Sequence, residues 1–497
     1  MRRGAHAAPE TPPAHRFAGA LIVAGLLLYA VFAPHSIAGA WIGLSFAALG
    51  WLARTLLTRR TGLRRTPFDL PLWLFVGWTL LSSLLSPETR LSLSKMTSVS
   101  TFLVFYLAQA TLTRRLAVLL AGVLIASGVA GALWGMGEVI AGRGVVVEAI
   151  APESPFAGGA QGLRKGDAVW RVGQTRVASV AEIDEAIRRT PAGTRPALHV
   201  ITQGEHVVRE GPIVTEAIKS AAAPSGLQGT ERTHRFRASG WTRHYQTFAE
   251  ILQVLAQLAL GFTLARVARR RTLRRIELPA AAFLLLATGL ALTAMRTVLV
   301  AFAVGACVIA WRAVAGRARV AVSLAIVVVL SLGALAVWRT RATGALRLQD
   351  DSSTLRRAVA QRALERIPAH PLFGHGMDAV NLHWQEWGFP GDETIHTHST
   401  VVQLAFDRGL PALIFWLWLL LVFWLTLTRA EKLWRETDDA GVHGLVLGAL
   451  GALAGFLASS LVNYNFGDSE VALLIWWLMG AVVVSISDDE SVAGLRG

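Results

Sequence analysis

The chain has 497 residues, 53% of them hydrophobic and only 16% charged, with a mean hydropathy of +0.47. This excludes a soluble protein of that size; only helices satisfy their own backbone in such apolar runs, so a helical polytopic membrane protein is expected. The net charge of +15 sits largely in short loops between apolar runs, which argues for a membrane over a nucleic-acid partner, and the single cysteine, Cys307, excludes an internal disulfide or a cysteine metal cluster.

About twelve apolar segments have spanning length. Five come first: Phe17–Phe32, Ile37–Leu57, Leu70–Leu85, Val99–Leu112 (which carries Gln109) and Leu116–Ile140. The first is read as a span and not a cleaved signal, because further spans follow at once. Four more lie at Phe248–Ala265, Pro279–Thr293, Val298–Trp311 and Val320–Val337, and three at Pro411–Leu427, Val442–Val462 and Val471–Ile486. His398–Phe406 is too short to cross and reads as a half-buried helix. The chain thus divides into helices 1–5 (residues 1–141), an inserted domain (142–218), a linker (219–246), helices 6–9 (247–338), a large polar loop (339–398), and helices 10–12 with a tail (399–497).

Arginine sets the expected orientation. Arg54, Arg59, Arg60, Arg64 and Arg65 fill one loop, and Arg266, Arg269, Arg270, Arg271, Arg274 and Arg275 fill another. Arg312, Arg317 and Arg319, and then Arg429, Lys432 and Arg435, mark two more on the same side. The positive-inside bias makes that side, and both termini, cytoplasmic. The two long loops are then external.

Within the first long loop, Val145–Ile150, Ala168–Val172, Ala197–Thr202 and His206–Val208 read as strands and Val180–Arg189 as a helix. Together with Ser154-Pro155, the turn Gly162-Leu163-Arg164-Lys165-Gly166-Asp167 and Val172-Gly173, these segments resemble a bacterial PDZ domain, a small α+β fold. That resemblance implies a peptide ligand bound by strand addition. A packing or spacer role is the plainer reading.

Polar groups gather where spans meet the external loops. Arg237-Ala238-Ser239-Gly240 precedes His244-Tyr245 and the sixth span, and Arg296 opens the eighth. Arg356-Arg357 precede the turn His370-Pro371-Leu372-Phe373-Gly374-His375-Gly376, and His396 and His398 precede the tenth span. A lone interfacial arginine usually snorkels to headgroups, but four such places in order call for a common task. No His-Glu-x-x-His occurs, which removes a zinc protease. Transporters put polar groups in broken helices at mid-membrane, unlike this chain.

These motifs in this order resemble the O-antigen ligase and polymerase superfamily of bacterial membrane glycosyltransferases. The family elements fall on Arg237–Gly240, Met295-Arg296, Arg356 with Pro371–Gly376, and His398 with Gln403 and Gly409. The spacing to Gln403 and Gly409 selects His398 over His396. Ser399 replaces the usual asparagine, and the PDZ-like insert is not a common part of the family. The resemblance implies an inner-membrane enzyme that moves a glycan from an undecaprenyl-diphosphate carrier to an acceptor hydroxyl on the periplasmic side, without metal or cofactor. Arg237, Arg296 and Arg356 would bind the diphosphate and His398 would be the general base; His396, His375 and Arg357 are secondary candidates. An O-antigen ligase acting on lipid A-core is the leading expectation. A polymerase, a protein O-oligosaccharyltransferase and a polysaccharide transporter or flippase are the alternatives.

Overall fold

The computed structural model describes residues 13–157, 162–202, 205–229, 232–269, 272–314, 316, 319–321, 324, 351–391 and 396–487. Its helices in chain order are α1 (Pro13–Phe32), α2 (Ile37–Thr58), α3 (Asp69–Leu85), α4 (Thr89–Ser94), α5 (Met96–Val99), α6 (Leu103–Thr111) and α7 (Arg114–Ala141). Then come α8 (Val180–Arg189), α9 (Glu216–Ser220), α10 (Tyr245–Ala268), α11 (Leu273–Leu292) and α12 (Arg296–Ala313). The last are α13 (Asp351–Arg366), α14 (Ala379–Leu382), α15 (Thr400–Arg408), α16 (Leu410–Arg435), α17 (Ala440–Ser460) and α18 (Ser469–Ser487).

Among the described residues, nine helices are long and apolar enough to cross a membrane: α1, α2, α7, α10, α11, α12, α16, α17 and α18. The expected third span is the shorter apolar helix α3. The expected fourth span is not one helix. It breaks into α5, a 3-10 turn at Ser100–Phe102 and α6, whose nine residues reach only about 14 Å. Ser100 and Thr101 hydroxyls bond carbonyls three residues back (2.7 and 3.0 Å), which competes with regular helix here. The expected ninth span, Val320–Val337, lies almost wholly outside the described residues.

The apolar core centres on α10, α17 and α18, of which α17 and α18 are 83% buried and α10 67%. The glycines of α17 let α10 approach closely: a Cβ on Gly448 would stand 2.6 Å from Leu258 Cα. Small residues at such crossings are how apolar helices pack where lipid supplies no hydrophobic drive.

One end of the bundle is rich in arginine. Arg269 donates to Trp434 O and Thr437 O (both 2.7 Å) and contacts His443 Nδ1 (2.7 Å). The fully buried carboxylate of Glu431 takes Arg312 and Arg435, each at 2.7 Å. These bonds tie α10, α12, α16 and α17 together at that end.

The inserted unit is a small α+β domain with its own core of residues such as Val169, Ile183, Leu198 and Val200. Strands β1 (Val145–Val146), β3 (Ala168–Val172), β5 (Ala197–Thr202) and β6 (Glu205–Glu210) lie in that order, all antiparallel, with β4 (Thr175–Arg176) hairpinned on β3. The register sets Ala168 against Ile201 and Val200 against Val207. Buried Asp167 explains the Gly-Asp turn. It accepts from Arg164 N (2.9 Å), Thr202 Oγ1 (2.9 Å) and Arg209 Nη1 (2.8 Å), which offset its desolvation. Helix α8 spans the expected residues, capped by Ser179. The expected linker begins later than composition suggests. Leu227–Gln228 form β7, paired with β2 (Ala149–Ile150), and buried Ser225 accepts from Ser154 Oγ at 2.5 Å. A stretch of small and polar residues can still add a strand, because strand pairing uses the backbone.

Candidate functional site

The site is built at the end of the bundle opposite the arginine-rich one, from segments far apart in sequence. Asn463, in the turn after α17, is its hub. Its Oδ1 accepts from Arg356 Nη1 (3.2 Å), and its Nδ2 donates to Thr297 Oγ1 (3.1 Å) at the start of α12. Its carbonyl accepts from Thr400 N (3.0 Å), the first residue of α15. Asn463 also donates to Ser459, whose hydroxyl donates to buried Glu250 of α10 at 3.3 Å. Across the same turn, Thr247 donates to Asp468 at 3.0 Å.

Arg237 enters from the segment before α10. Its guanidinium lies over the Tyr245 ring (4.4 Å) and its Nη1 reaches Met295 Sδ (3.9 Å), the residue before Arg296. Arg296 is exposed at the first position of α12. Arg237 and Arg356 are thus brought near each other through Met295, Thr297 and Asn463, and Arg296 stands between Met295 and Thr297 in the chain. The N-termini of α10, α12 and α15 meet there. Helix N-termini carry partial positive charge, so three of them beside Arg237 and Arg356, with Arg296 at the head of α12, form a place suited to an anion. Arg357, one residue on from Arg356, is exposed.

His396 and His398 stand beside this cluster, their rings 4.7 Å apart and nearly perpendicular. The His398 amide donates to His396 Nδ1 (3.3 Å). Burial, then Arg356 and His244, lowers the pKa of His396 to about 4. Burial, then His396 and Arg356, lowers that of His398 to about 3. Both rings are neutral at pH 7. His398 has φ +59°, a left-handed conformation that few residues with a Cβ adopt. The strain is held from both sides: Thr397 N donates to Gln403 Oε1 (2.6 Å), and Ser399 Oγ donates to Ser460 O (3.3 Å). Ser399 also caps α15. Ala294, just ahead of Met295, is left-handed too, at φ +53°. Such strain clusters where surroundings over-determine a functional geometry.

Gln403 is buried and gives its amide to both oxygens of Asp407 at 2.9 Å. Burial, partly offset by Gln403 and Arg408, raises the Asp407 carboxyl to about 7. A cavity of about 220 Å³ opens here, lined by His396, Gln403, Asp407, Tyr464 and Asp468 among others. His396 lines it and His398 is not among its lining residues; Arg356 acts on both rings.

The Pro371–Gly376 motif serves the backbone. His375 N donates to Phe406 O (2.8 Å), Gly376 N to Asp407 O (3.0 Å) and Leu410 N to Pro371 O (2.8 Å). This zips the turn onto the end of α15. A Cβ on Gly374 would strike the Asp407 backbone, and one on Gly409 (φ +82°) would strike Leu372 O. His375 is packed within that zipper, stacked on Phe406 at 4.5 Å, with Nε2 3.0 Å from Arg366 O. The structure does not bring it to the arginine cluster.

Sequence reasoning missed Asn463, Glu250 and Asp468. Glu250 had a readable signal, a lone carboxylate with Gln253 and Gln257 in an otherwise apolar span. Asn463 and Asp468 sit in a short turn, Asn-Tyr-Asn-Phe-Gly-Asp, that looks like ordinary loop chemistry.

Residues 281–417, just over a quarter of the chain, match a family model described as O-Antigen ligase. The match takes in Arg296, Arg356 and His398 and stops short of Arg237. No curated protein matches the chain. With nine membrane-type helices among the described residues, the match supports the O-antigen ligase and polymerase superfamily, and a membrane glycosyltransferase-type enzyme of O-antigen or polysaccharide biosynthesis.

Proposed function

We propose that this protein transfers a glycan from undecaprenyl diphosphate to an acceptor hydroxyl at the outer face of the bacterial inner membrane, as an O-antigen ligase acting on lipid A-core. The observation that carries the reading is the gathering of Arg237, Arg356 and two neutral histidines at three helix N-termini, one of which Arg296 opens. In the reaction the acceptor oxygen attacks the anomeric carbon, the bond to the diphosphate oxygen breaks, and the configuration inverts. The leaving lipid diphosphate takes up negative charge. The arginines, as always-charged planar forks, and the helix ends stabilise that charge without a metal.

The acceptor proton goes to His398. His396 accepts a hydrogen bond at Nδ1 from the His398 amide, so its neutral form keeps its proton on Nε2 and presents a donor. That favours His398 as base. Burial and then His396 lower its pKa most and Arg356 least, and a bound diphosphate would offset the Arg356 part and raise the imidazole. The arginine-rich end is cytoplasmic by the positive-inside bias, with both termini on that side and the inserted domain in the periplasm. We read that domain as PDZ-like, a candidate peptide-binding module.

The decisive test uses purified protein with lipid-linked donor and acceptor. Transfer to lipid A-core that is lost on His398→Ala supports the reading; normal transfer by that variant removes His398 as base. Cells lacking the protein would strand long chains on the carrier for a ligase. Single stranded repeat units would point to a polymerase, and loss of glycoprotein to a protein O-oligosaccharyltransferase.

A further inference from the structure

The inserted domain grips the segment ahead of the site at Phe236. Its ring is buried against Ala168 and Ile201 of the domain's sheet, with Trp170 and Val146 packed around it. His206 of β6 faces Phe236 at 5.9 Å and Trp170 at 5.6 Å, and its imidazole lies against the Arg237 backbone. The Arg143 guanidinium covers both Trp170 (4.8 Å) and Phe236 (5.1 Å) and pairs with Glu138 at the end of α7. Arg143 and Thr233 also exchange backbone bonds, at 2.9 and 3.2 Å.

The residue on the other side of Arg237 is fixed to the bundle. Ala238 is buried and its N–H donates to Leu292 O at 3.1 Å, at the end of α11. Arg237 therefore sits between two consecutive anchors, one in the domain and one in the membrane helices. Around it the chain has no regular secondary structure, so the two anchors set where its side chain starts out toward Tyr245 and Met295. A long side chain on an irregular segment loses binding energy unless its support is rigid.

We propose that the inserted domain is a positioning element for Arg237, acting through Phe236 and the Trp170–His206–Arg143 cluster, so that the domain tunes diphosphate binding whatever else it holds. This rests on the reading of Arg237 as a diphosphate ligand. Mobility of the domain, or a ligand that shifted its sheet, would then act on the reaction through one side chain. Phe236 touches no substrate in this scheme; it is a positioning residue.

The test is a double-mutant cycle on the full-length protein in detergent, with undecaprenyl diphosphate as the probe. Arg237→Ala should weaken binding about 10–100-fold, the scale of a charge-assisted hydrogen bond. Phe236→Ala should weaken it about 3–10-fold, yet cost less than about twofold more in the Arg237→Ala background, because residues acting as one unit are not additive. Trp170→Ala, on the domain's side of the contact, should repeat this pattern and serves if Phe236→Ala does not fold. Phe236→Tyr should restore most of the affinity. Wild-type binding by both Phe236→Ala and Trp170→Ala, or additive losses with Arg237→Ala, would overturn the positioning role while leaving Arg237 as a ligand. Normal binding by Arg237→Ala would remove the diphosphate reading of Arg237 and this proposal with it.

Discussion

Arginine does different work at the two ends of the bundle. At the arginine-rich end, Arg312 and Arg435 close on a fully buried carboxylate, Glu431, and Arg269 fills the carbonyls of Trp434 and Thr437. Each of these three guanidiniums has a built-in acceptor that neutralises it or spends its donors. At the opposite end Arg356 gives Nη1 to the neutral amide of Asn463, and Arg237 rests on a tyrosine ring and a thioether sulfur. Helix N-termini add positive charge around them. The first arrangement uses cations to hold helices together; at the second, Arg356 also acts on buried Glu250, and the helix ends favour an anion.

The largest test of that difference is His398→Ala, expected to lower transfer about 10²–10⁴-fold with expression and membrane insertion intact. His396→Ala should cost less. Equal losses from the two, measured on purified protein, would make the base assignment ambiguous and break the argument from the His396 Nδ1 bond. Next is Glu431→Gln. Leaving Arg312 and Arg435 beside a buried neutral group should lower unfolding stability by about 2–3 kcal/mol, below the usual range for a broken buried pair because Arg435 is half exposed. The protein that remains folded should still transfer. A loss of rate at unchanged melting temperature would contradict a purely structural role for that end.

Lysine substitution sharpens the contrast. Arg356→Lys and Arg296→Lys should each cost about tenfold in kcat/KM with little change in melting temperature, since an ammonium lacks the bidentate fork. Arg312→Lys should reverse the pattern, with a small thermal shift and near-normal kcat/KM. The smallest effect is in pH. His396 and His398 are depressed to about 4 and 3, so between those values and their ordinary pKa near 6.5 the unfolded chain binds more protons. Stability should rise with pH through that window and be lost as pH falls below about 6.5. His398→Ala should flatten the slope, which denaturation at pH 5 and 7.5 would show. In the same window kcat/KM, which reports the free enzyme, should keep its base; a fall in kcat/KM centred near pH 6.5 would show that the rings are not depressed.

Much of the fold was legible because it follows from local chemistry. Apolar runs of spanning length marked nine of the helices, and residues 180–189 read as a helix from their own amphipathic pattern. The failures are also physical. Val99–Leu112 is apolar enough to look like a span, but Ser100 and Thr101 turn their hydroxyls onto nearby carbonyls and break it. Leu227–Gln228 sit in a linker-like composition, yet β2 supplies a backbone to pair with. For the site, arginine and histidine stood out as costly residues at helix ends. Asn463 did not, because a neutral amide in a turn does not stand out until three other segments arrive to bond it.

By itself the sequence determined that this chain is a bundle of apolar helices with arginine concentrated in one set of loops, because hydropathy and charge act residue by residue. It also determined that a separate α+β unit interrupts the bundle, since alternation and turn chemistry are local. Only the tertiary structure decided that Arg356 and His398 lie near the contact of Arg237 with Met295, that the glycines at 374 and 409 serve backbone contact, and that His375 is packing. Those are facts of distance between segments up to hundreds of residues apart, set by how helices pack and not by what any one of them contains.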